Sequence, residues 1–353
     1  MTPSPSAPGS PLASRFGLSD RVFAGPVARR LAGRIEEGLE RVESELAEEL
    51  KAADPLVDAT SRYLYEAGGK RVRPMLVLLT AQLGDGLSQP VLDAAKALEL
   101  MHLGSLYHDD VMDGADRRRG VEAAHQVWGN SIAILTGDLL LSRASVIMSR
   151  NGEEAMRLQT ETFERLVLGQ MHETLGAQEG DDPIGFYLQV LADKTGSLIA
   201  AAARAGAHFS GADRRFEEPL RVYGEKVGVA FQLADDVIDL SDDPGDTGKV
   251  PGTDLRAGVP TMPYLLLARS DDETSQDLLA RIDDGVARIA EGADPSILDG
   301  PLAELRDHEV TEATRELSLE WTRAAVDALD ALPRGAVREA LTRFAESLAI
   351  RSR

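Results

Sequence analysis

Two pentapeptides hold the residues best suited to chemistry in this chain: Asp109-Asp110-Val111-Met112-Asp113 and, far downstream, Asp235-Asp236-Val237-Ile238-Asp239. On a helix, residues four apart share a face, one turn above the other. Asp109 therefore projects beside Asp113 and Asp235 beside Asp239, with Asp110 and Asp236 flanking. If the two helices face each other, as many as six carboxylates converge on one cleft. Two like charges about 4 Å apart repel by roughly 4 kcal/mol at an effective dielectric near 20. Such a cluster calls for cations, and an all-oxygen donor set favours Mg²⁺ over zinc or copper. A merely solvated acidic face fits poorly with the apolar flanks, Leu98, Leu100, Leu103 and Leu106 before one motif and Phe231, Leu233, Ala234, Val237 and Ile238 around the other.

Metal held by carboxylates stays partly hydrated and bridges to substrate phosphates, so phosphate-binding cations are the next requirement. Lys70, Arg71 and Arg73 lie in GGKRVRP, where glycines let backbone approach a ligand. Arg117, Arg118 and Arg119 follow the first acidic motif, Lys194 stands beside the hydroxyl of Thr195 in DKTGSL, and Lys249 lies in the polar stretch SDDPGDTGKVPG. Arginine forks match phosphate oxygens bidentately, while lysine acts as a point charge. Any one of these could simply complement a helix dipole. Together, beside the carboxylates, they suggest two anionic groups, one bridged by metal and one held directly.

These residues need a helical frame, and the chain supplies one. Its 353 residues are 43% hydrophobic, ample for a core. The absence of cysteine excludes disulfides and thiolate metal sites. A net charge of −21 and a pI near 4.7 argue against a nucleic-acid partner. No uninterrupted apolar run approaches the roughly 20 residues of a membrane span, and the Pro/Ser-rich start lacks the apolar segment of a signal peptide. The expectation is a cytoplasmic protein with a disordered tail over residues 1–20 and a single domain over 21–353. Strand signals are nearly absent. Helical periodicity predicts segments over 26–53, 55–67, 75–83, 90–113, 131–149 (capped by Asn130 or Ser131), 153–178, 184–208, 213–240, 260–269, 275–291, 302–332 and 336–350. The fold class is all-α.

The motifs, taken together and in order, resemble the trans-polyprenyl diphosphate synthases of the polyprenyl synthetase family. They are GGKRVRP at 68–74, DDVMD at 109–113 with RRG at 118–120, GQMHE at 169–173, KTGSL at 194–198, FQLADDVID at 231–239 and GKVPGTDLRAG at 248–258. The resemblance spans roughly residues 25–350. It implies an antiparallel helical bundle around a deep central cavity, a homodimer, and Mg²⁺ as cofactor, with three ions once substrate is bound. It also implies head-to-tail condensation of isopentenyl diphosphate with an allylic diphosphate. Carried over position by position, Asp109, Asp113 and Asp235 are metal ligands, supported by Asp110, Asp236 and Asp239. Arg118, Lys194, Thr195, Gln232 and Lys249 bind the allylic diphosphate, with Lys194, Thr195 and Gln232 acting at the reacting end. Lys70, Arg73, His102 and Arg119 bind isopentenyl diphosphate. Gln170 and Glu173 line the cavity, Glu173 standing where the family more often has Asp.

In this family the residues just before the first motif set product length. Ser105 and Gly104 are small, with Met101 a turn further up. An isoprene unit of roughly 5 Å matches one helical turn of about 5.4 Å, so each unobstructed turn admits about one more unit. The expectation is a long-chain all-trans product, with a farnesyl- or geranylgeranyl-length synthase or a class I terpene cyclase as alternatives. A cyclase would need neither GGKRVRP nor a second acidic motif. Glu99-x-x-His102 and Glu122-x-x-His125 match the step of a di-iron bundle, but that leaves both acidic motifs idle. A non-catalytic partner subunit would be expected to lack one motif, and both are intact.

Overall fold

Apolar residues at three- and four-residue steps shape the first helix. In the structure, a computed structural model describing residues 26–241 and 251–350, helix α1 (Pro26–Glu49) buries Leu31, Ile35, Leu39, Val42 and Leu46 along one side. The expected tail over residues 1–20 and Lys249 lie outside the described residues. Helix α2 (Pro55–Glu66) starts at Asp54, whose carboxylate accepts from the Leu56 and Val57 N–H groups at 2.9 and 3.1 Å. That satisfies two donors with no partner inside the helix.

Along the chain follow α3 (Val72–Thr80), α4 (Gln89–Met112), a hairpin of β1 (Arg117–Arg118) and β2 (Val121–Glu122), α5 (Ala124–Trp128), α6 (Asn130–Ser149), α7 (Glu153–Leu175), α8 (Pro183–Leu191), α9 (Ser197–Phe209) and α10 (Glu217–Asp239). Beyond residue 250 come α11 (Thr253–Arg256), α12 (Met262–Arg269), α13 (Glu273–Ala290), α14 (Asp299–Asp307), α15 (Glu309–Ala328) and α16 (Ala336–Ile350). The fold is all-α. The hairpin is the only strand pairing among the described residues.

The chain divides into two compact units. The first comprises residues 26–164, 198–224 and 328–344. At its centre α4 packs against α3 and along α6, and it is buried without interruption from Val91 to Met101. A Cβ on Gly104 would lie 3.1 Å from Gly137 O, so two bare positions let α4 and α6 approach closely. The expected cap of α6 by Asn130 or Ser131 is not formed. The helix follows Gly129 at φ 82, ψ 159, a region essentially reserved for glycine, so backbone geometry sets its start.

The second unit comprises residues 165–197, 225–241, 251–327 and 345–350. One core gathers Leu240, Leu255, Leu267, Leu278, Ile282 and Leu298, and another joins Leu191, Val229, Leu233 and Met262. Two expected helices are interrupted here. The segment 184–208 breaks at a π-helical turn, Ala192–Gly196, between α8 and α9. The segment 302–332 breaks at His308, whose extended backbone separates α14 from α15. There Thr311 Oγ1 donates to Leu305 O at 2.7 Å and Val310 N–H to His308 Nδ1 at 3.3 Å, so side chains complete the broken turn.

Candidate active site

Helix α4 ends in the first acidic motif. Asp109 is half-buried and Asp113 exposed, one turn on. Asp110 is fully buried: its Oδ1 accepts from Arg118 Nε at 2.7 Å, and its Oδ2 is buried with no hydrogen-bond partner. Burial raises the Asp110 pKa, and the Arg118 guanidinium offsets only part of that rise. The hairpin delivers this arginine. Arg117 pairs with Glu122 and Arg118 with Val121, and the turn residues Arg119 and Gly120 have φ 53 and 82. Positive φ at both central positions is what a tight type I′ hairpin requires. Arg119 then donates from Nη1 to Leu64 O at 2.7 Å and also to Gly68 O. Arg117 folds back on the hairpin itself, donating to Gly120 O at 2.7 Å.

The GGKRVRP loop meets the same neighbourhood. Arg71 takes a left-handed backbone, φ 49, and its guanidinium is committed to the scaffold. It donates to Glu43 Oε1 at 2.6 Å, Tyr65 O at 3.1 Å, and Gly68 O and Glu99 Oε1 at 3.3 Å. Arg71 is therefore a poor candidate for binding phosphate. Arg73 remains: its Nε is buried without a hydrogen-bond partner, and burial brings its pKa down to about 10. Burial also lowers the pKa of Arg119. Glu99, 1% exposed, is the carboxylate that opposes both shifts. Burial first, then the charges of Arg73, Arg119, Arg118 and Arg71, hold His102 well below its ordinary pKa, so its ring is neutral at pH 7. The charges that act most on His102 are all cationic, which suits an incoming anion. Lys70 stands exposed beside this cluster.

In the second unit the chemistry gathers on the π-turn. Lys194 Nζ donates to Glu173 Oε2 on α7. The backbone of Lys194 lies so near α7 that a Cβ on Gly169 would sit 2.6 Å from its nitrogen. Thr195 is half-buried in the turn, Gln232 half-buried on α10, and Gln170 Oε1 is buried with no hydrogen-bond partner. On α10, Asp235 is exposed and Asp239 half-buried, while Asp236 is 4% exposed. Asp236 accepts from Tyr187 Oη at 2.9 and 3.0 Å and from Met262 N–H at 2.9 Å. Burial pushes its pKa up to about 7 against those hydrogen bonds, with Asp254 and Asp235 adding to the rise. Asp239 receives the Asp254 N–H at 3.3 Å.

The first unit thus brings Arg73, His102, Arg118 and Arg119 into one electrostatic neighbourhood, and the second joins Lys194 to Glu173. Among the described residues no group of three or more Asp, Glu or His is drawn together to hold a metal ion; the motifs offer their carboxylates one turn apart on each helix. Glu99 Oε1 accepts from Arg71 at 3.3 Å, so a scaffold arginine engages this carboxylate. Of the residues expected to set product length, Met101 is fully buried and Gly104 faces α6, while Ser105 is half-buried with its Oγ donating to His102 O at 2.9 Å. Sequence reasoning missed Glu43, Tyr187, Arg165 and Asp193, whose charged partners Arg71, Asp236, Asp193, Arg165 and Glu225 lie 28 to 60 residues away in sequence. No local pattern marks such pairs.

A family model for polyprenyl synthetase matches residues 54–291. The chain is 44% identical over 275 residues to the nonaprenyl diphosphate synthase of Mycobacterium tuberculosis, covering 78% of this chain and 80% of that one. It is similar to the crystal structure of a decaprenyl diphosphate synthase from Rhodobacter capsulatus, with TM-score 0.82, 30% identity and coverage of 92% and 99%. It is also similar to that of geranylgeranyl pyrophosphate synthase from Corynebacterium glutamicum complexed with calcium and isoprenyl diphosphate, with TM-score 0.79, 38% identity and coverage of 93% and 98%. The motifs, the all-α fold and these likenesses agree, and the chain, a prenyltransferase, belongs to the polyprenyl synthetase family.

Proposed function

We propose that the chain uses Mg²⁺ to condense isopentenyl diphosphate head-to-tail with an allylic diphosphate, repeatedly, to give a long-chain all-trans polyprenyl diphosphate. One observation carries the reading: both acidic motifs divide their labour alike. In each, the second aspartate (Asp110, Asp236) is buried and gripped by protein donors, while the first (Asp109, Asp235) is the more exposed. Oxygen-only donors and the unsatisfied Asp110 Oδ2 fit a hard cation. On this reading Asp109, Asp113 and Asp235 hold the metal and Asp110, Asp236 and Asp239 support them. Bound there, Mg²⁺ supplies positive charge against the departing diphosphate.

Arg118, Lys194, Thr195, Gln232 and Lys249 hold the allylic diphosphate, and Lys70, Arg73, Arg119 and neutral His102 hold isopentenyl diphosphate. The allylic C–O bond breaks, the isopentenyl double bond attacks the allylic carbon to form the new C–C bond, and a proton leaves to pyrophosphate. Fixed cations stabilise charge where it grows, the largest single source of rate in such sites. Nonaprenyl and decaprenyl synthases among the relatives, and a small Ser105, support a long product.

A homodimer through α6 is part of the proposal. This helix is long and apolar enough to cross a membrane, yet one side packs along α4, while Ile134, Leu135 and Val146 are exposed. Asp138 and Arg143 interrupt it, and a charge at mid-membrane costs about 3 kcal/mol. A protein partner suits that face better, and the enzyme works in the cytoplasm.

The test is to incubate purified protein with isopentenyl diphosphate, Mg²⁺ and allylic primers of increasing length, then size the dephosphorylated products. Chains beyond geranylgeranyl are expected. Products ending at farnesyl or geranylgeranyl would overturn the long-chain reading, and turnover by an Asp109→Ala, Asp235→Ala double variant at the parent rate would overturn the metal assignment.

A further inference from the structure

The π-turn at Ala192–Gly196 is held by two helices that leave it little room to move. From α7 come three residues at four-residue spacing, Arg165, Gly169 and Glu173, which share one face. Arg165 donates from Nε to Asp193 Oδ1 at 2.7 Å, Gly169 admits the Lys194 backbone, and Glu173 receives the Lys194 ammonium. From α10 comes Glu225, which accepts from Arg165 Nη1 at 2.7 Å. Its backbone also abuts the turn, since a Cβ on Gly196 would lie 3.0 Å from Glu225 O. A Cβ on Gly228 would fall 2.5 Å from Gly196 Cα. Gln189 closes the set, donating to the second Asp193 oxygen at 2.8 Å.

We propose that Arg165 is a positioning residue for the allylic-diphosphate subsite, its fork bridging Asp193 and Glu225 so that the π-turn presents Lys194 and Thr195 in one fixed register. A π-turn holds one more residue than an α-helical turn and recurs at functional sites. Relaxed to α-helix, the segment would turn Lys194 and Thr195 by about 100°, one residue's rotation. A planar fork holds its two carboxylates in a fixed geometry; a lysine ammonium is a compact point charge on a flexible stem and sets no such geometry. Arg165 is engaged with Asp193 and Glu225, and on this proposal its effect passes through Asp193 to the next two residues. The inference rests on the reading that Lys194 and Thr195 bind the allylic diphosphate.

The experiment measures steady-state kinetics with farnesyl diphosphate as primer and isopentenyl diphosphate as extender, on Arg165→Lys, Arg165→Gln, Gly169→Ala, Lys194→Ala and the Arg165→Gln, Lys194→Ala double variant. Arg165→Lys keeps charge and bulk, so it remains informative if Arg165→Gln does not fold. For Arg165→Lys and Arg165→Gln the KM for farnesyl diphosphate is expected to rise on the order of tenfold or more, as for other residues that orient a ligand-binding group. The KM for isopentenyl diphosphate should stay within about twofold, and Gly169→Ala should show the same split because its Cβ displaces the same turn. The double variant should lose much less than the sum of the two single losses, since Arg165 acts through Lys194 and Thr195. Equal shifts in both KM values, or a lower melting temperature with unchanged KM values, would overturn the proposal. Additive losses in the double variant would also overturn it. If Lys194→Ala itself leaves the farnesyl diphosphate KM unchanged, the subsite assignment beneath it fails instead, and the proposal falls with it.

Discussion

Arg118 donates from Nε to Asp110 Oδ1 at 2.7 Å, joining the β-hairpin to the last turn of α4 through a fully buried carboxylate. Removing one partner of such a pair leaves the other uncompensated, which costs more than the pair itself contributes. Arg118 is partly exposed and can rehydrate, so Asp110→Ala should lower unfolding free energy by about 2 kcal/mol, below the fully buried range. In a urea-denaturation double-mutant cycle, adding Arg118→Ala should cost much less than it does in the parent. Purely additive losses would mean that the pair is not coupled.

Arg71 makes a prediction of the opposite kind, because its fork serves the fold. Glu43 and the 1%-exposed Glu99 both lean on it. Arg71→Ala should lower unfolding free energy by about 3 kcal/mol by stranding those carboxylates, while Arg71→Lys should recover only part of that because an ammonium lacks the planar fork. Glu43→Gln should be milder, since an amide oxygen can still accept from the guanidinium. Chemical denaturation of the three variants checks the order.

Much of this frame can be read directly from residue order. The α1 stripe Leu31, Ile35, Leu39, Val42 and Leu46 is buried as its spacing demands, and Asp54 before Pro55 marks the start of α2. Local chemistry also marks the acidic motifs and GGKRVRP. The π-turn was not legible, because DKTGSL carries ordinary helical periodicity and the residues packed against the bulge, Gly169, Glu225 and Gly228, lie far from it in sequence. Nor was the split between Asp109 and Asp110, adjacent residues of one type, since only the later placement of Arg118 makes one of them a buried anchor. Arg71 misled for the same reason: Glu43 and Glu99, which claim its fork, are each 28 residues away.

Product length should respond at Ser105 and not cleanly at Gly104. A Cβ on Gly104 already meets Gly137 O and Leu141 Cγ at 3.1 Å, so Gly104→Phe has to drive α4 from α6 and should lower stability by about 3 kcal/mol. Ser105 is half-buried and its hydroxyl makes a local bond to His102 O. Ser105→Phe should fold normally and shorten the product by one or more isoprene units, each spanning about one helical turn. Chromatography of the dephosphorylated products decides it. An unchanged distribution from well-folded Ser105→Phe would remove Ser105 as a length determinant.

Asp236 predicts how stability depends on pH in metal-free protein. Burial first, opposed by Met262 N–H and Tyr187 Oη and reinforced by Asp254 and Asp235, sets its folded pKa near 7 against 3.8 for the free side chain. Between those values the folded state binds the extra proton, so the derivative of unfolding free energy with pH is negative. This contribution to stability is fully present below about pH 4 and lost as pH rises through about 7, with a slope of at most about 1.4 kcal/mol per pH unit. Asp236→Asn should flatten that part of the profile. With its oxygen in the place of Oδ2, the amide still accepts from both Tyr187 and Met262. Urea melts in chelator at pH 5 and 7.5 provide the comparison. The parent should lose more stability than Asp236→Asn between the two, and added Mg²⁺ should narrow the difference by favouring the ionised carboxylate. Equal losses in the two proteins would show that Asp236 is already ionised at pH 5.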